Sequence, residues 1–203
     1  MNKYFLWAVA ISALCSACET ENEVFTTEAP DNYRDNQTIA LQQAKGVETN
    51  DYQTYQSILN SFVYNNQQTY QENLLRFEQY VNLQMVDYGQ QETYAYETIN
   101  NEQLLVLEQA DVDFIEQLAY TRETKQAIYA IINSQFNIEA IGLITNENER
   151  HLIETLFALH NNGNGDDNKW NGNRTIAFAY GSQYSFTKAV LYAGAIELLA
   201  KQQ

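Results

Sequence analysis

The chain has 203 residues, of which 45% are hydrophobic and 13% aromatic, enough apolar material for a core and too much for a wholly disordered chain. One Pro and eight Gly argue against collagen, turn-dense β-sandwiches and Pro-rich linkers. The net charge of −15, from 26 acidic and 11 basic residues, repels phosphate, so nucleic acid is not an expected partner.

At the N-terminus, Lys3 precedes an apolar run from Tyr4 to Leu14, and the small residues Ser16 and Ala17 precede Cys18. This is the pattern of a secretory signal, and the run is short of the about 20 residues that span a bilayer. The segment resembles the signal of bacterial lipoproteins, in which a small residue precedes a cysteine that is lipidated and becomes the mature N-terminus. The resemblance implies a signal peptide over residues 1–17, a lipid (palmitate) on Cys18 and anchorage in the outer membrane, periplasmic or surface-exposed. One position departs from that family, which usually has Leu where Cys15 stands. Glu19, Glu21 and Glu23 then resemble the surface-export signal of Bacteroidota lipoproteins; they read equally as a solvated spacer. Residues 18–32, which hold the only proline, Pro30, read as the lipidated cysteine and a flexible, disordered acidic tether. Both cysteines, Cys15 and Cys18, lie in the first eighteen residues, so processing at Cys18 leaves no thiol for catalysis, zinc or iron–sulfur chemistry, and no cofactor is expected.

From residue 33 to 203 the text is helical. Asp51 is placed to cap a helix with Tyr52, Tyr55, Ile58, Leu59 and Phe62 inward. Tyr70, Leu74, Phe77, Val81, Met85 and Tyr88 form an amphipathic stripe that Gly89 stops. Asn101 is read as the cap of a helix through Leu104, Leu105, Leu107, Val112, Ile115 and Leu118. A further helix is expected from Thr121 to about Leu143, burying Ala127, Ile128, Ile131, Ile132 and Phe136. Thr145 and the acidic turn Asn146–Glu149 open a helix that buries Leu152, Ile153, Leu156, Phe157 and Leu159. It dissolves in a loop, residues 161–173, ahead of a C-terminal docking segment. Arg174–Tyr180 alternates like a strand; lacking a partner strand, it is favoured as a helical turn or extended segment on the bundle. The last helix runs from about Ser185 to Lys201. The expected fold is all-α, a multi-helix bundle or orthogonal helical array.

Chemistry is sparse. His151 and His160 are nine residues apart, on opposite faces of one helix, and make no metal pair. His151 is expected in a surface ion pair with Glu147 at i,i+4, and His160 as a cationic C-terminal cap. Asn162, Asn164 and Asp166 mimic the first ligand spacings of a calcium loop, but Asp167 and Asn173 stand where its Gly and Glu belong. No EF-hand is expected, only a weak irregular oxygen site. Trp170, Arg174, Tyr180 and Tyr184, with Lys188 nearby, are the candidate lining of a ligand cleft; tight docking of the C-terminal helix is the leading reading of the same stretch. The chain also holds 20 Gln and 22 Asn among its tyrosines, read first as an uncharged solvated surface and second as a carbohydrate-binding composition. The expected function is a membrane-anchored binding or interaction module for a protein or glycan. The alternative is a hydrolase using carboxylates such as Glu147, Glu149, Asp166 or Asp167, and the lack of a recognisable nucleophile or metal set weighs against it.

Overall fold

A computed structural model describes residues 50–87, 95–161 and 168–202. The signal, Cys18, the tether, Tyr88, Gly89, Tyr94 and the candidate ligands Asn162, Asn164 and Asp166 lie outside the described residues. Within them the chain is all-helical and no strand occurs. The α-helices are α1 (Asn50–Ser61), α2 (Tyr70–Asp87), α3 (Asn101–Glu108), α4 (Arg122–Ile132), α5 (Glu147–Asn161), α6 (Asn168–Ser182) and α7 (Phe186–Ala200). Short 3-10 helices, Val112–Gln117 and Ile138–Leu143, join α3 to α4 and α4 to α5.

The first two helices follow their apolar spacing. α1 buries Tyr52, Tyr55, Ile58 and Leu59, with Asp51 in its first turn rather than ahead of it. α2 opens on a reciprocal cap absent from the stripe argument. The Thr69 backbone N–H donates to Glu72 Oε2 at 2.8 Å, and the Glu72 N–H donates to Thr69 Oγ1 at 3.3 Å. The Thr69 N–H, and then the Thr69 hydroxyl at 2.9 Å, donate to the Glu72 carboxylate and hold it below its usual range. Leu74, Phe77, Val81 and Met85 are buried along the helix.

The middle of the chain corrects two predicted lengths. The helix foreseen from Asn101 to Leu118 is two elements. Asn100, not Asn101, caps α3, and the Asp111 side chain accepts from the Asp113 N–H to start the 3-10 helix. A short acceptor that bonds its own backbone competes with helix continuation. Leu104, Leu107, Ile115 and Leu118 are buried, but Leu105 is exposed. The helix foreseen to Leu143 stops at Ile132. Ser134 takes φ 56°, the Ser134 N–H donates to Ile131 O at 2.9 Å and the Gln135 N–H to Ala130 O at 2.8 Å. This is a Schellman stop with serine in the left-handed position where glycine is usual.

The centre is the α6–α7 hairpin. The Arg174–Tyr180 stretch is helical, as favoured over a strand, but it is the middle of α6 rather than a single turn lying on the bundle, and Gly172–Ala179 is buried throughout. A helix covered on every side has no polar face, so its sequence loses the 3.6-residue period. α7, capped by Ser185, packs against α6, and the small residues Ala177, Ala189 and Ala193 of the two helices are fully buried. A Cβ on Gly181 would stand 2.4 Å from the Lys188 carbonyl oxygen, so the two helices meet backbone to backbone at this corner. α2 packs on α7, α5 on α6, and α4 on α5.

Candidate functional site

The five cleft candidates separate into two groups. Arg174 and Tyr180 share α6 but are six residues apart, so they project about 120° from one another around the axis.

Arg174 faces inward and is 4% exposed. One terminal guanidinium nitrogen donates to Glu197 Oε2 of α7 at 2.8 Å; the other terminal nitrogen donates to Leu159 O in the last turn of α5 at 2.7 Å and to Asn171 Oδ1 at 3.1 Å. One side chain therefore joins three helices and supplies the positive charge that the end of α5 favours. Trp170, one turn earlier, is half-buried against the core. Tyr55, in edge contact with Phe178 at 5.7 Å, has a buried hydroxyl whose pKa is pushed up by burial.

That arrangement corrects the expected role of His160. The ring is buried and its Nδ1 lies 3.4 Å from Thr175 Oγ1. Burial, and then the Arg174 charge, push its pKa from 6.5 down to about 4, so it is neutral near pH 7 and not a cationic cap. The unfolded chain takes up this proton first. Stability from neutral His160 is thus whole above pH about 6.5 and is lost as pH falls to about 4, in all roughly 3 kcal/mol. Urea unfolding between pH 7 and 4 is expected to show this loss, and His160→Gln to be flatter by that amount. Parallel curves for the two chains would reject the assignment.

Tyr180, Tyr184 and Lys188 gather at the other face, on the α6–α7 corner. Tyr184 is 65% exposed. Its ring meets Tyr180 at 5.3 Å and 60°, and Tyr180 is backed by Tyr192 at 5.3 Å and by Phe114 at 6.1 Å. Burial and the neighbouring hydroxyl raise the Tyr180 pKa, keeping it protonated. Gln183 ties the corner to the α3–α4 connection by accepting from the Ala119 N–H at 2.6 Å. Lys188 lies over the Tyr192 ring at 5.9 Å and donates to Thr98 O. The segment 97–100 is held from the other side: Asn82 of α2 bonds both the N–H and the C=O of Glu97, and Glu78 accepts from the Ile99 N–H at 2.7 Å. Sequence reading did not find these partners, because their separations of 15 to 90 residues leave no local signal.

The remaining candidates have partners other than those expected. His151 Nε2 meets Asp51 of α1 at 3.1 Å, and its Nδ1 lies 3.8 Å from Glu154, while Glu147 pairs with Arg150 at 3.8 Å. Glu149 accepts from the hydroxyls of Thr121 and Thr124, each at 2.5 Å, and so covers the start of α4. Asp166 and Asp167 are outside the described residues. Among the described residues no three His, Cys, Asp or Glu side chains are grouped to hold a metal ion, and no helix is long and apolar enough to cross a membrane. Compared with models of protein families, with curated proteins and with solved structures, the chain matches none of them.

Proposed function

We propose that the protein is a lipid-anchored extracytoplasmic binding module, held at the outer membrane through Cys18. The single observation that carries this reading is the order of Lys3, the apolar run Tyr4–Leu14, Ala17 and Cys18. The structure adds a helical scaffold in which Arg174 is tied to Glu197 and Glu149 to Thr121 and Thr124, while His151 pairs with Asp51 at the surface. The side chains presented outward at the α6–α7 corner are aromatic and hydroxylated, which suits contact more than proton transfer.

Metabolic labelling with a palmitate analogue tests the anchor. The wild-type chain is expected to incorporate the label and to fractionate with membranes, since lipid anchoring adds about 0.8 kcal/mol per buried methylene. Cys18→Ser is expected to lose the label and to move to the soluble fraction. Label retained in Cys18→Ser but lost in Cys15→Ser would assign the anchor to the other cysteine.

A further inference from the structure

We propose that the tyrosine shelf at the α6–α7 corner is a subsite for a neutral glycan, with the Tyr184 ring as its stacking platform. The inference rests on the reading of the protein as a binding module and names the chemical class of its ligand.

Three properties of the corner carry it. The first is a presented ring on an anchored turn. Tyr184 is 65% exposed, yet it sits in a turn whose backbone is fixed, with the Tyr184 and Ser185 N–H groups both donating to Gly181 O at 3.0 and 3.2 Å. Gly181 itself is held against Lys188 and Ala189, where a Cβ would clash with main-chain atoms. Tyr180, braced by Phe114 and Tyr192, supports one side of the Tyr184 ring. A ring on an anchored backbone, packed on one side, has less freedom to lose when a ligand lies on it than a fully free side chain.

The second property is the polar complement. The Tyr180 and Tyr184 hydroxyls lie 3.3 Å apart and share one hydrogen bond, which leaves the pair one hydroxyl hydrogen and spare lone pairs for a ligand. An aromatic face is electron-rich and attracts the partly positive C–H groups on one side of a pyranose ring. The sugar's own hydroxyls then meet the phenolic oxygens at the ring edge.

The third property is scale and charge. A protein partner of ordinary affinity covers about 800 Å² on each side around an aromatic-rich centre. Here a single ring stands proud beside Ser182 and Gln183, and the other tyrosines of the shelf serve as its backing. One ring with hydroxyls at its edge matches the dimensions of one sugar unit. The chain's charge of −15 disfavours a polyanion, and Lys188, the cation of the corner, is already engaged by Thr98 O and the Tyr192 ring. These features suit a neutral polyhydroxylated ligand.

Affinity electrophoresis of the full chain in non-ionic detergent tests the shelf. Gels are cast with galactomannan, starch, xylan or mixed-linkage β-glucan, and a gel with polyanionic alginate serves as control. Retardation in at least one neutral gel and none in alginate is expected. Tyr184→Ala is expected to weaken it roughly tenfold or more, as loss of a central aromatic contact does. Tyr184→Phe is expected to keep the platform and part of the retardation. Circular dichroism melting of each variant establishes that it is folded. Retardation in none of the neutral gels, or retardation that Tyr184→Ala leaves unchanged, overturns the proposal. So does a photo-crosslinking side chain at position 184 that captures a protein while every neutral gel is silent. The gels read the shelf whether or not Cys18 carries lipid, so failure here and failure of the palmitate labelling are separate results.

Discussion

Arg174→Met is expected to destabilise the domain by about 3–5 kcal/mol, the range for breaking a buried ion pair from one side. Arg174 is 4% exposed and its partner Glu197 is only partly exposed, so the change leaves a carboxylate with restricted access to water. It also removes the donor to Leu159 O, at the end of α5, and the bond to Asn171. Glu197→Gln is expected to fall in the same range for the converse reason, since it leaves a guanidinium in the core facing a neutral amide. The double replacement Arg174→Met with Glu197→Leu is expected to be less damaging than the sum of the single changes, because a matched apolar pair has no charge to desolvate. Urea midpoints of the three variants at pH 7 measure this. A single Arg174→Met within about 1 kcal/mol of wild type would show that the ion pair contributes little beyond its packing.

The parts of the fold legible in the sequence are those where burial is one-sided. Leu74, Phe77, Val81 and Met85 could be named as core because they recur at helical spacing along α2, although its outward face is mixed, with Leu75, Leu83 and Val86 exposed beside Gln71, Glu72 and Gln79. α6 gave no such pattern, because α3, α5 and α7 all pack on it, and Asn173, Arg174 and Thr175 are buried as fully as Ile176. The end of α4 was hidden because Ser134 occupies a backbone position usually marked by glycine. The candidate cleft was half legible. Tyr180 and Tyr184 are four residues apart and meet across the turn that ends α6, but nothing local shows that Arg174 points to Glu197 and Leu159 instead. His160 was misjudged for a related reason. A histidine at a helix end is a cationic cap only where the end meets water, and this one is buried beside Arg174.

Phe77→Ala and Gly194→Ala are expected to be strongly non-additive. Phe77 is fully buried, in edge contact with Phe62 at 5.1 Å, and its ring end lies against the glycine of α7. Removing the ring is expected to destabilise the domain by about 3–5 kcal/mol, through lost transfer energy and the cavity left behind. A Cβ on Gly194 would stand 2.2 Å from Phe77 Cζ and 2.5 Å from Cε1, with Leu59 at 3.4 Å. Gly194→Ala alone is therefore expected to destabilise by about 1–3 kcal/mol, because the buried ring has no room to withdraw. In the Phe77→Ala background that clash is gone. What remains is the preference for alanine over glycine inside a helix, up to about 1 kcal/mol in favour of alanine, with part of the cavity filled. Gly194→Ala is then expected to change sign and stabilise. Equilibrium urea unfolding of the wild type, both single variants and the double variant closes the cycle. An interaction energy near zero would mean that Gly194 does not make room for Phe77, and that the α2–α7 contact is looser than these distances require.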